Sequence, residues 1–132
     1  MRVLALDHGT VRIGAAICDP TGTLCTPLAV IEPPEPSSVA ALVEEREVER
    51  VVVGLPVHLS GEEGSQAALA RTFADELSVL LDVPVDTYDE RLTSQMADAS
   101  RRAGAGAARD SLAAAHLLEA YLTSLARKGG ES

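Results

Sequence analysis

The order of the apolar segments constrains this chain more than any other feature. Residues 3–6, 13–18 and 23–31 are short apolar stretches joined by connections of turn length, His8 to Arg12 and Asp19-Pro20-Thr21-Gly22. Links that short allow only antiparallel neighbours, so the three stretches read as a meander. After a stiff connection carrying Pro33, Pro34 and Pro36 the pattern changes. Ser37 or Ser38 caps a helix to about Glu47, with Val39, Leu42 and Val43 on one face. Residues 51–53 are continuously apolar, which predicts a strand buried on both faces, closed by Gly54 and Pro56. A polar loop over 60–65 precedes a helix from Ala67 to about Leu81 with Leu69, Phe73, Leu77 and Leu80 inward, and residues 83–87 form a fifth strand. Thr93 caps a helix containing Met96 and Ala99. Gly104 and Gly106 break it, and Asp110 opens a last helix to about Ala126. Strands linked by helical crossovers lie parallel. The expectation is an α/β domain over 1–126, a five-stranded mixed sheet with helices on both faces, and a flexible tail over 127–132.

Composition narrows the function classes. With 46% hydrophobic and 23% charged residues the chain is neither disordered nor membrane-spanning, since no apolar run nears the roughly 20 residues a bilayer requires. No secretory leader pattern is evident, so the cytoplasm is the expected location, with no membrane partner. The net charge of −9 has the wrong sign for holding nucleic acid by bulk electrostatics. Basic side chains are nevertheless gathered: Arg91, Arg101, Arg102 and Arg109 lie in a stretch whose only acid between Arg91 and Asp110 is Asp98. Arg101, Arg102 and Arg109 are the candidate nucleic-acid contacts. Cys18 and Cys25 flank the turn after the second strand and read as small core residues, not as a disulfide framework. No His/Cys cluster has zinc-ligand spacing.

Three acids sit at element ends, each beside Arg or Thr. Asp7 follows the first apolar run and precedes Gly9, Thr10 and Arg12. Asp89 and Glu90 follow the fifth strand and precede Arg91 and Thr93. Asp110 opens the last helix. Each has a bland reading: Asp7 capping its loop or paired with Arg12, Asp89 or Glu90 paired with Arg91, Asp110 as a helix cap. Adjacent residues of an extended chain point oppositely, so only one of Asp89 and Glu90 can enter a site. Asp110 shares a helical stripe with Ala114, Leu117, Leu118, Tyr121 and Leu125, which directs it toward the sheet. A carboxylate after a buried strand needs a partner or a metal. Three converging carboxylates suit hard divalent cations such as Mg²⁺ or Mn²⁺, which activate water and stabilise a leaving oxygen in phosphodiester hydrolysis. Thr10, Arg12, Arg91 and Thr93 are then the candidate phosphate-binding residues.

Four segments in order, Leu4-Ala5-Leu6-Asp7-His8-Gly9-Thr10 with Arg12-Ile13-Gly14, Val51-Val52-Val53-Gly54-Leu55-Pro56, Asp89-Glu90-Arg91-Leu92-Thr93 and Asp110-Ser111-Leu112-Ala113-Ala114, resemble the YqgF/RuvX family. The resemblance runs over about residues 2–123. It implies the ribonuclease H-like fold, kinship with Holliday-junction resolvases and a nuclease acting in 5′-end maturation of pre-16S rRNA. It also implies Asp7, Glu90 and Asp110 as catalytic and metal-binding acids, with Asp89 as the neighbour of Glu90. In that fold the first strand is central and the second carboxylate comes from the fifth strand, because the fourth ends in Gly54, which leaves room for Glu90. Val11 stands where many relatives carry a basic residue. The stretch 103–108 is Ala/Gly-rich where many have a basic run, so RNA binding is expected to be weakened more than metal binding.

Two other classes compete. The same metal chemistry serves a DNA-junction nuclease, which requires a homodimer presenting two sites, whereas RNA trimming needs only a monomer. A non-catalytic nucleic-acid or ribosome-assembly module gains from the acidic charge, but retention of three acids counts against it. Asp7-x-Gly9-Thr10 also resembles the phosphate loop of actin-like kinases, which need two lobes where this chain has length for one. His8, His58 and His116 have no pattern marking a base. Three aromatics, Phe73, Tyr88 and Tyr121, are too few for a base-stacking platform, so recognition rests on backbone and shape, with a ribosomal or assembly partner expected to help.

Overall fold

A computed structural model describes residues 1–58, 60–92 and 106–130 of the chain, with 106–109 and 129–130 described as backbone alone. Five strands form one sheet: β1 (Val3–His8), β2 (Ile13–Cys18), β3 (Cys25–Pro27), β4 (Arg50–Leu55) and β5 (Val85–Asp89), in the spatial order β3-β2-β1-β4-β5. β1 is antiparallel to β2 and parallel to β4; β3 is antiparallel to β2 and β5 parallel to β4. The mixed sheet is as the apolar order required, the central first strand is as the family resemblance implied, and the fold is ribonuclease H-like.

Strand alternation divides the sheet between two cores. Leu4, Leu6, Ile13, Ala15, Val51, Val53 and Leu55 point to the face covered by α1 (Pro36–Glu45) and α2 (Ser65–Leu80). Val3, Ala5, Ala16, Cys18 and Val52 point to the opposite face, where α3 (Gly106–Gly130) lays Ala114, Leu117, Leu118 and Tyr121 across β1 and β2. Leu117 and Leu118 are nearly fully buried there, each worth about 1.5–3 kcal/mol. Continued by the same alternation, Asp7, Gly14 and Gly54 all belong to the α3 face.

Several boundaries differ from the sequence reading, for identifiable reasons. β1 continues through Asp7 and His8, because β2 supplies them with partners in register. The third strand shrinks to three residues, closed by Pro27, which has no N–H to donate, plus an isolated bridge from Ile31 to Ile13. α1 starts at Pro36, with Glu35 in the cap position and no side-chain cap, so neither Ser37 nor Ser38 caps it. Proline is favoured at a first helical position because its missing N–H would be unpaired there anyway. In α2 the inward stripe is Ala67, Ala70, Phe73, Ala74 and Leu77; Leu69 and Leu80 are 45% and 51% exposed. With that stripe against the sheet, both leucines are left facing outward. Asp110 lies inside α3 and is not its cap, and α3 runs on to Gly130 past the end expected at Ala126. The helix predicted after Thr93 falls outside the described residues.

Cys18 and Cys25 are register partners across β2 and β3 and both are free thiols, Cys18 buried. Among the described residues no helix is long and apolar enough to cross a membrane.

Candidate active site

Asp7 is flanked by glycines across the sheet. Its register partner on β2 is Gly14. On the other side, Leu6 pairs with Val53, which brings Gly54 alongside the next position. Each glycine seats an acid from a distant segment. A Cβ on Gly14 would lie 2.2 Å from the Asp110 carbonyl oxygen and 3.0 Å from Asp110 Cβ, so the backbone of α3 rests on β2 at that point. A Cβ on Gly54 would lie 2.7 Å from Glu90 Oε1 and 3.0 Å from Leu117 Cδ2, so the Glu90 carboxylate hangs over β4. Asp110, Asp7 and Glu90 thus stand over one row of the sheet, Gly14–Asp7–Gly54. Ser111, buried, accepts from the Ala15 N–H at 3.4 Å and helps pin α3 at this height.

Arg12 reaches the Asp110 end of this row. The loop from Gly9 to Arg12 folds back so tightly that a Cβ on Gly9 would meet the Arg12 carbonyl oxygen at 2.6 Å. From there Arg12 Nε donates to Asp110 Oδ2 at 2.9 Å, with both side chains 30% exposed. Arg12 thus makes an ion pair across to the last helix, a partner that the sequence pattern, which offered Asp7 as one alternative, does not indicate. Thr10 is exposed in the same loop.

The neighbours Asp89 and Glu90 part company. Asp89 ends β5 on the side away from α3, and its carboxylate accepts from Arg91 Nε at 2.9 Å and from a second guanidinium nitrogen at 2.6 Å. The Arg91 hydrogen bonds hold the Asp89 carboxyl below the usual carboxylate range. Glu90 opens a short 3-10 turn, Glu90–Leu92, and its carboxylate swings to the α3 side over Gly54. A strand alone could not have decided between the two; the turn that follows it does.

Of the remaining candidates, Thr93, Arg101 and Arg102 lie outside the described residues, as does the side chain of Arg109. His8 faces away from the acids and stacks on Phe73, ring centroids 4.6 Å apart. Burial pushes its imidazole below the ordinary value, partly opposed by Glu76, and its Nδ1 is buried without a hydrogen-bond partner. His58 packs on Gly64. His116 lines a groove of about 690 Å³ with Tyr88, Leu92, Glu119, Arg127 and Lys128. The sequence reading foresaw the space at Gly54 but missed the equivalent role of Gly14, which was visible only as part of Arg12-Ile13-Gly14.

The oxygen-only donor set suits a hard divalent cation. The acids are not, however, closed around a centre: among the described residues no three His, Cys, Asp or Glu side chains are close enough together to hold a metal ion.

Comparison with known proteins identifies the family. Residues 1–124 match the family model described as "RuvX: Holliday junction resolvase". The chain belongs to the RuvX family. A relative from Chloroflexus aurantiacus, named "Putative pre-16S rRNA nuclease", is 45% identical over 130 residues, covering 91% of this chain and 85% of its own. A relative of the same name from Desulforudis audaxviator is 40% identical over 143 residues, covering 100% and 99%. Among solved structures, RuvC of T. thermophilus in complex with a Holliday junction substrate superposes with a TM-score of 0.62 at 18% identity, covering 98% of this chain and 96% of that one. RuvC of Thermus thermophilus in a further structure gives 0.59 at 17% identity, covering 96% and 97%. That likeness bears on the fold, which these RuvC chains share with this RuvX member along nearly their whole length.

Proposed function

We propose that this RuvX protein hydrolyses RNA phosphodiester bonds in 5′-end maturation of pre-16S rRNA, with Asp7, Glu90 and Asp110 as the catalytic acids. The observation that carries this reading is the row Gly14–Asp7–Gly54, on which two remote acids are seated beside a third. A merely structural cluster gives no reason to remove two Cβ atoms so that carboxylate-bearing segments approach a strand end. The names of relatives at 40–45% identity favour RNA as substrate.

Asp7, Glu90 and Asp110 would hold Mg²⁺ or Mn²⁺, which when bound activates water and stabilises the leaving oxygen. The chain's own groups supply the rest. Arg12 stands at the row and offsets phosphate charge, and Thr10 donates from the same loop. Arg91, fixed by Asp89, sets the edge of the site beside Glu90. Asp89 acts through Arg91 and is a positioning residue. The family description also favours a DNA-junction substrate, so both belong in one experiment.

Labelled RNA carrying a 16S 5′ leader, single-stranded DNA and a four-way DNA junction are incubated with wild type or Asp7→Asn in Mg²⁺, Mn²⁺ or EDTA. The expected result is metal-dependent cutting of the RNA that disappears in the variant. Cutting of the junction alone would transfer the assignment to DNA. Intact substrates throughout, with RNA binding retained, would replace the nuclease by a ribosome-assembly binding module.

A further inference from the structure

The Asp110 carboxylate has two claims on it. The proposed chemistry requires it as a ligand over the row Gly14–Asp7–Gly54, yet its Oδ2 accepts from Arg12 Nε at 2.9 Å. The backbone at Asp110 cannot retreat to serve both, because its carbonyl group is seated on Gly14 and the next residue, Ser111, is tied to Ala15. Only the short side chain is free to choose. Arg12 is equally constrained at its root, where Gly9 packs on its carbonyl oxygen. The two partners are therefore held within reach by backbone contacts on both sides, a geometry unlike that of long, freely placed surface side chains.

We infer that Arg12 is a resident cation that competes with the divalent metal ion for Asp110, and that occupancy of the site releases its guanidinium toward the substrate phosphate. The inference rests on the three-acid reading above. A guanidinium beside Asp110 keeps that carboxylate compensated while no divalent ion is present. Once Asp110 turns to the ion, Arg12 loses its partner and its fork of N–H donors matches a phosphate. Substrate and metal then bind with positive coupling, each removing a competitor of the other. Arg12 in this scheme has two roles in sequence, positioning Asp110 at rest and contacting phosphate when loaded.

The competition makes an unusual prediction: removing a phosphate-binding residue strengthens metal binding. Mn²⁺ affinity is measured without nucleic acid, by the loss of the free-ion electron paramagnetic signal, for wild type, Arg12→Ala and Arg12→Lys. A partly exposed ion pair is worth up to about 1 kcal/mol, so Arg12→Ala should bind Mn²⁺ roughly three- to fivefold more tightly. Arg12→Lys keeps the charge and should fall between. In parallel, the Arg12 Nε–H resonance of wild type is followed by ¹⁵N correlation spectra during Mg²⁺ titration. It should move to the position of a solvated arginine with the same midpoint as metal binding.

Unchanged or weaker Mn²⁺ binding in Arg12→Ala, with wild type binding normally, would overturn the competition while leaving the three-acid site intact. A stationary Nε–H resonance at saturating Mg²⁺ would do the same. Absence of Mn²⁺ binding by every form would remove the metal reading itself, and this inference with it. Arg12→Ala folding is checked by its circular dichroism, and Arg12→Lys remains informative if the alanine form is unstable.

Discussion

Replacing Gly14 by alanine places a methyl carbon 2.2 Å from the carbonyl oxygen of Asp110 and 2.4 Å from its carbonyl carbon. Even weak C–H···O contacts keep carbon and oxygen about 3.3 Å apart, so one backbone must move by about 1 Å. Neither atom belongs to a flexible side chain, and β2 is held between β1 and β3, so the displacement falls on α3. Overpacking of this kind costs about 1–3 kcal/mol, offset by the roughly 0.5–1 kcal/mol that alanine gains over glycine in a strand. With an unfolding entropy of about 2.1 cal/mol/K per residue, a net loss of about 1–2 kcal/mol lowers the melting temperature by roughly 4–8 °C. In the proposed site, a shift of about 1 Å in the Asp110 carboxylate should cost on the order of 100-fold in rate. The control is Gly54→Ala, which meets Glu90 Oε1 and a Leu117 methyl, both ends of side chains that can rotate. It should cost no more than about 1 kcal/mol, yet move the Glu90 carboxylate and depress cleavage comparably. Melting is read by circular dichroism and cleavage on the substrate found active above. Gly14→Ala with wild-type melting temperature and wild-type cleavage would refute the claim that α3 is seated on β2 through Gly14.

Three further outcomes follow from groups away from the row. Tyr121 donates to Asp86 at 2.6 Å and accepts from Arg50 at 3.2 Å, so Tyr121→Phe should lose about 1 kcal/mol in urea unfolding with cleavage intact; no change would show the network idle. Burial holds the folded His8 imidazole below its ordinary 6.5, so the unfolded chain takes up that proton first. Stability should be complete above that value and decline as pH falls below it, and His8→Asn should flatten that part of a melting-temperature profile; an unaltered slope would exclude His8 as its source. The Cys25 thiol is pushed up to about 11, chiefly by burial, so little thiolate exists at pH 8. Iodoacetamide should modify it slowly in the native protein and rapidly in urea, and equal rates would contradict the packing of β3 under α3.

What could be read from the residues was whatever short-range pattern dictates. Turn-length links force antiparallel strands, helix-length links force parallel ones, and a run such as Val51-Val52-Val53 demands cover on both faces. Those rules led to the mixed sheet, while the resemblance to the RuvX family supplied β1 at its centre and pointed to Asp7, Glu90 and Asp110. Local pattern was weaker where proline or small residues acted. It overextended the third strand, credited a serine with capping α1, and turned Leu69 and Leu80 inward.

The meeting of the acids is a tertiary fact. Asp7, Glu90 and Asp110 are far apart along the chain, and nothing in their local sequence specifies the height at which α3 crosses β2. Contact between backbone and Gly14 sets that height, and contact between a carboxylate and Gly54 sets the place of Glu90. Alternation on β5 made Asp89 and Glu90 mutually exclusive, but the 3-10 turn after the strand chose which faces the row. The partner of Arg12 was likewise undecidable from sequence, since Asp7 lies five residues away and Asp110 nearly a hundred. Sequence separation carries no information about distance once helices and strands have packed. Only the assembled sheet, with α3 laid across it, determined that Arg12 stands beside Asp110.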